Sequence, residues 1–154
     1  MAALYVFLMA MAPVVELRGA IPLGLGLGLS PAGALFWALA GNLLVVPALL
    51  TLLPWAVAKM ERWPRIRRLW EGLEARVRLK GEDKVQRYGA LGLFLFVAVP
   101  LPGTGAWTGS VLAAVLGVKK RYALPAIAAG VVVAGVAVLL ATTGAIRGLS
   151  FLVR

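Results

Sequence analysis

Glu16 and Arg18 stand two residues apart in Glu16-Leu17-Arg18-Gly19-Ala20-Ile21-Pro22, and they are the only charged side chains among the first 58 residues. Ionisable groups set in an apolar run are costly in a bilayer and mark functional positions. Glu16 has three chemistries open to it: carrying a proton, holding a cation, or pairing with Arg18. A second stretch, Pro100-Leu101-Pro102-Gly103-Thr104-Gly105-Ala106-Trp107-Thr108-Gly109, carries no charge but offers the hydroxyls of Thr104 and Thr108 in a glycine-rich turn. It lacks the lysine of a phosphate-binding P-loop. The candidate binding residues are therefore Glu16, Arg18, Gly19, Pro22, Pro102, Gly103, Thr104, Gly105 and Thr108. Asn42 and Trp107 are secondary, and a helix-to-helix hydrogen bond is the simpler role for Asn42.

The composition says where such groups must sit. With 154 residues, 62% hydrophobic and 14% charged, and a mean hydropathy of +0.93, the chain falls outside the range of soluble domains and reads as one integral membrane domain over residues 1–154. It has no cysteine and no histidine, so disulfides, thiolate chemistry and the commonest metal ligand are excluded. No metal site, cofactor, nucleophile with a base, or carboxylate pair is expected, and the chain does not read as an enzyme. Ten of the sixteen basic residues fall between Lys59 and Arg87, beside apolar blocks, which is membrane topology rather than nucleic-acid binding.

Residues 1–15 would make a helix of about 22 Å, short of the roughly 30 Å hydrocarbon core. Pro13 should end it, and Gly19 to Leu29 forms a second short arm, so residues 1–29 read as a re-entrant hairpin. One long span with a buried ion pair is the alternative. A signal peptide is disfavoured because no Lys or Arg precedes the apolar run. Residues 32–57 are long enough to cross, with Pro47 as a kink. Over residues 58–87, Trp63, Ile66, Leu69, Trp70, Leu73 and Val77 recur at helical spacing among arginines, giving a basic amphipathic linker on the headgroups. Pro64 suits its first turn, Gly81 its end, and Glu82 with Asp83 the start of the next helix. A second hairpin over 88–118 and a second span over 122–144 follow.

Shifting the second half by 89 positions brings Pro13 onto Pro102, Gly28 onto Gly117 and Gly41 onto Gly130 without a gap. The same shift lays Ala20, Gly24 and Gly28 on Gly109, Ala113 and Gly117, a small-residue spacing that lets helix backbones pack closely. The fold class is thus all-α, with repeats over 1–57 and 88–145, each a re-entrant hairpin followed by one transmembrane helix. A hairpin returns to its own side and a span crosses, so the repeats are inverted. Residues 59–87 and Lys119 to Arg121 then share the cytoplasmic side of the plasma (inner) membrane, with both termini outside, although Arg147 and Arg154 stand against this. Each return arm begins at its tip, so free backbone N–H groups near Gly19 and Ala20, and near Gly105 and Ala106, should face the centre and favour an anion.

The early Glu-Leu-Arg-Gly-Ala-Ile-Pro tip and the late Pro-Leu-Pro-Gly-Thr-Gly tip together resemble the small multidrug export protein family, over essentially the whole chain. That family is distantly similar to the DedA (SNARE-associated, VTT) superfamily, whose re-entrant hairpins are linked to lipid or polyprenyl-phosphate translocation and to proton-dependent drug tolerance. The matching positions are Glu16, Arg18 and Pro22, then Pro102, Gly103, Thr104 and Gly105. The DedA arginines near the second tip have no counterpart among Thr104, Trp107 and Thr108.

Three functions compete. One is a proton-linked transporter of a small amphipathic substrate turning on Glu16. Another is a lipid translocase or scramblase that passes a phosphate headgroup by Arg18. The last is an assembly factor without transport. Two spans and two hairpins hardly enclose a pathway, so a homodimer or larger homo-oligomer in the lipid bilayer is expected.

Overall fold

The computed structural model describes residues 1–60 and 64–152. Trp63, placed on the amphipathic face above, and Arg154 lie outside the described residues. Seven helices follow one another: α1 (Ala2–Met11), α2 (Glu16–Gly26), α3 (Pro31–Met60), α4 (Pro64–Tyr88), α5 (Ala90–Ala98), α6 (Ala106–Val115) and α7 (Lys120–Leu152). Two stretches, Pro31–Lys59 and Lys120–Ile146, are long and apolar enough to cross a membrane. At about 1.5 Å per residue they reach roughly 40 Å, whereas α1, α2, α5 and α6 reach only about 15 Å each.

Local chemistry sets these boundaries. Ala12 is extended because the pyrrolidine ring of Pro13 excludes helical geometry from the preceding residue, and α1 stops there. The break occupies residues 12–15, so α2 begins at Glu16 rather than at Gly19 as the sequence suggests. The Glu-Leu-Arg-Gly stretch is therefore the first turn of a helix and not the apex of a hairpin. Ser30 Oγ accepts the Gly33 N–H at 3.1 Å and Pro31 takes the first position of α3, a regular helix start. The helix continues through Pro47 and Pro54.

α2 and α6 end in the same way. Gly28 (φ +83°) donates to the Leu25 carbonyl while Leu29 donates to that of Gly24; Gly117 (φ +66°) donates to Ala114 while Val118 donates to Ala113. Every position in the second cap lies 89 after its counterpart. These are left-handed glycine caps, for which any side chain would be strained. Gly28 and Gly117 thus terminate helices and do not belong to the packing ladder, since nothing stands within 4 Å of the place a side chain would take.

The short helices pack on the long ones. α1 lies against α3, where a side chain on Gly41 would strike the Phe7 carbonyl. α5 lies against α7, where a side chain on Gly130 would meet the Phe94 carbonyl and Val97. The core between them holds Val6, Leu17, Ile21, Val46, Leu93, Phe96, Leu112, Ile127 and Val131. Facing outward, Phe36, Leu44, Leu52, Trp55 and Leu140 are each more than half exposed, an apolar surface suited to lipid.

The amphipathic helix departs from expectation in two ways. α4 does not end at Gly81; it runs through Glu82 and Asp83 to Tyr88, and the break falls at Gly89, which has φ +56°. Gly81 is buried instead, because its missing side chain makes room for Leu112 and Phe96. Nor does α4 lie wholly on headgroups: Val77, Gly81 and Val85 bury one face of its second half against α5 and α6. In its first half Ile66, Leu69 and Leu73 remain exposed.

Candidate functional site

The two helix breaks, residues 12–15 and 99–105, are held side by side by hydrogen bonds from the helix ends that flank them. The Glu16 carboxylate is buried and accepts the Trp107 N–H at 3.0 Å, with the Ala106 N–H also directed at it. These are the first amides of α6, which carry partial positive charge and lack helical partners. Glu16 adopts φ +47°, the one non-glycine residue with a positive φ among those described. Left-handed geometry costs a side-chain-bearing residue about 1–3 kcal/mol, and such strain gathers at functional sites.

Arg18, two residues along the same helix, also reaches the second break. One guanidinium nitrogen donates to the Leu101 carbonyl and another to Thr104 Oγ1 at 3.0 Å. Thr104 Oγ1 also lies 2.7 Å from the Val99 carbonyl and accepts the Leu101 N–H at 3.2 Å, which ties the break to itself. In return, the Trp107 indole Nε1–H donates to the Met11 carbonyl at 3.0 Å, at the end of α1. Glu16 and Arg18 do not pair with each other: among the described residues the ion pairs are Arg67–Glu71, Arg78–Glu74 and Arg78–Glu82, all within α4. Both charges face the other break.

Beside this network lies a cavity of about 500 Å³ lined by Pro13, Val14, Val15, Glu16, Arg18, Pro102, Gly103, Gly105 and Thr108. A side chain at Gly105 would occupy the space of the Glu16 carboxylate and displace it. Thr108 Oγ1 accepts the Gly105 N–H at 2.8 Å and so closes the first turn of α6. Gly103 needs its left-handed φ of +77° to turn the chain.

The sequence-derived residues thus divide. Glu16, Arg18, Pro102, Gly103, Gly105 and Thr108 line the cavity, while Thr104 and Trp107 hold the crossing bonds. Gly19 does not line it, and its N–H donates to the Val15 carbonyl at 3.1 Å, so no free amide is found there. Pro22 is exposed on α2, where it has no N–H to donate to the Arg18 carbonyl. Asn42 lies apart, its Nδ2 donating to the Ala10 carbonyl at 3.1 Å and joining α3 to α1. The amides of Ala106 and Trp107 point at Glu16, so the chain's own carboxylate occupies them.

One residue escaped the sequence reading. Lys80 Nζ, on α4, donates to the Pro102 carbonyl at 3.3 Å and lies 2.5 Å from where a Gly103 side chain would be. Among ten basic residues in that segment, nothing local distinguishes it.

Among the described residues every element is a helix, two are long and apolar enough to cross a membrane, and Glu16 is buried, as suits a membrane protein. Residues 16–137 match the model of the small multi-drug export protein family, and the chain belongs to that family, a transporter class and not an enzyme class. The match takes in both charged residues of α2 and the whole second break. No curated protein and no solved structure matches the chain.

Proposed function

We propose that the protein is a proton-linked secondary transporter that exports a small amphipathic substrate through the cavity between the two breaks. The observation carrying this reading is the Glu16 carboxylate seated on the first amides of α6. A charge-assisted bond of that kind holds the breaks together, and protonation of the carboxylate removes its charge and weakens the bond. The site then opens to substrate, and loss of the proton closes it. In proteoliposomes with an imposed pH gradient and ethidium as the amphipathic probe, Glu16→Gln should abolish gradient-driven flux while the protein still folds. Unchanged flux in that variant would remove the coupling role.

Two re-entrant hairpins in an inverted repeat are part of the proposal. The supporting observations are the four helices of half-membrane length, the duplicated cap 89 residues apart, and the matching roles of Gly41 and Gly130. Positions related by that shift also meet: Glu16 adjoins Gly105, Arg18 donates to the second break, and Trp107 donates to Met11 at the edge of the first. Such reciprocity is what a pseudo-two-fold axis through a midplane site requires. In this arrangement α4 and Lys119 to Arg121 are cytoplasmic, the termini are outside, and a homo-oligomer completes the pathway.

A second reading, translocation of a lipid phosphate, draws on Arg18 and Lys80 flanking the second break as two cations against one carboxylate. It requires that Arg18→Gln stop the flipping of a fluorescent phospholipid without any proton gradient.

A further inference from the structure

A larger crevice, about 690 Å³, lies away from the breaks, where the second half of α4 meets the turn between α6 and α7. Its floor is apolar, made by Val85, Val115, Leu116 and Val118, and its rim carries Arg78, Lys119, Arg121 and Tyr122. α7 is long and apolar enough to cross a membrane from Lys120 onward, so the crevice lies at one end of that stretch.

The charges on the rim are not equivalent. Arg78 is held between Glu74 and Glu82, at 3.0 Å from each, and reaches the Val115 carbonyl at 3.4 Å. Glu82 is in turn bonded by Arg78 and by the Gln86 amide at 2.8 Å, so the one carboxylate lining the crevice has its partners within α4 and not at Lys119 or Arg121. Lys119 and Arg121 make no ion pair among the described residues. The Arg121 guanidinium lies 4.7 Å from the centre of the Tyr122 ring, a cation–π contact that leaves its N–H donors free. Two uncompensated cations over an apolar floor suit an anion joined to an apolar body. Beyond the rim, the exposed Tyr122 and Leu124 continue that apolar surface along α7.

We infer that this crevice binds the phosphate of an anionic phospholipid through Lys119 and Arg121, with the acyl chains lying along α7. A basic pocket between helices at a membrane surface is a recurring headgroup site. The volume admits a glycerophosphate, and free phosphate is the other source of the same chemistry.

Native mass spectrometry on the full chain, released from micelles containing phosphatidylglycerol or phosphatidylcholine, provides the test. The wild-type chain should retain phosphatidylglycerol in preference to phosphatidylcholine, and Lys119→Gln with Arg121→Gln should weaken retention about thirtyfold, taking two cations at the usual strength. Arg65→Gln with Arg68→Gln, which removes the same charge from the exposed first half of α4, should leave retention unchanged. Lys119→Arg, which keeps the charge, should retain the lipid and shows that the position tolerates substitution. Equal losses in the two double variants would reduce the effect to general surface charge and overturn the site. Binding of inorganic phosphate alone, with displacement of phosphatidylglycerol at millimolar concentration, would overturn the lipid assignment.

Discussion

The carboxylate of Glu16 lies in the space that a side chain on Gly105 would fill. The two positions are 89 apart, the same interval that relates the caps at Gly28 and Gly117. The glycine on one side of the site is the room in which the acid on the other side works.

That relationship makes Gly105→Ala the most direct test of the geometry. The methyl group would displace the carboxylate from the Trp107 N–H, and losing a buried charge-assisted bond should cost about 1–3 kcal/mol. Glu16→Ala should cost a similar amount, and the double variant little more than either. Thermal melting in detergent gives the coupling; strictly additive losses would mean that the two residues do not meet.

Arg18 should be required for more than stability. Arg18→Gln loses the bond to the Leu101 carbonyl and the charge beside the cavity, so flux of an amphipathic probe should fall at least tenfold. The Met11 carbonyl bond from Trp107 persists in that variant, so the breaks should stay joined. Cysteine cross-linking between positions 13 and 102 would then proceed as in an otherwise wild-type background.

Lys80 connects α4 to the second break through the Pro102 carbonyl. Lys80→Gln removes a partly hydrated bond, so its stability effect should stay within about 1 kcal/mol. Transport should respond more strongly, with a rise in KM for the probe, because the break loses an external tether. Lys84→Gln, one turn further along α4, serves as the comparison.

Two glycines of α4 should respond in opposite directions. Gly81→Val would press on Leu112 and Phe96 and should destabilise by about 1–3 kcal/mol, as overpacking does. Gly72 is exposed in the helix interior with nothing within 4 Å, so Gly72→Ala should stabilise by about 0.5–1 kcal/mol. Melting temperatures of the two variants check both; destabilisation by Gly72→Ala would mean that this part of α4 is covered.

The sequence by itself determined what depends on neighbouring residues. Hydropathy over a span-length window marks α3 and α7, Pro13 ends α1 through its own ring, and Ser30 with Pro31 starts α3. The 89-residue interval paired Gly28 with Gly117, but their sequence spacing reads as a packing ladder, and only their left-handed φ angles make them helix caps. Glu16, Arg18, Gly103, Gly105 and Thr108 were legible as candidates, because charges and glycines in an apolar run stand out against it, and all five line one cavity. What the tertiary structure decided is which of these groups meet. Glu16 caps α6 from 91 residues away and Arg18 crosses 83 residues to Leu101, so neither pairs with the neighbour two places along. Gly81 reads as a helix end by composition and is a packing contact in fact, because the force on it comes from Phe96 and Leu112. Lys80 is one cation among many until α4 folds back beside the second break. Caps, breaks and spans arise from short-range sterics and hydropathy, whereas partners across the chain are chosen by how the helices stack.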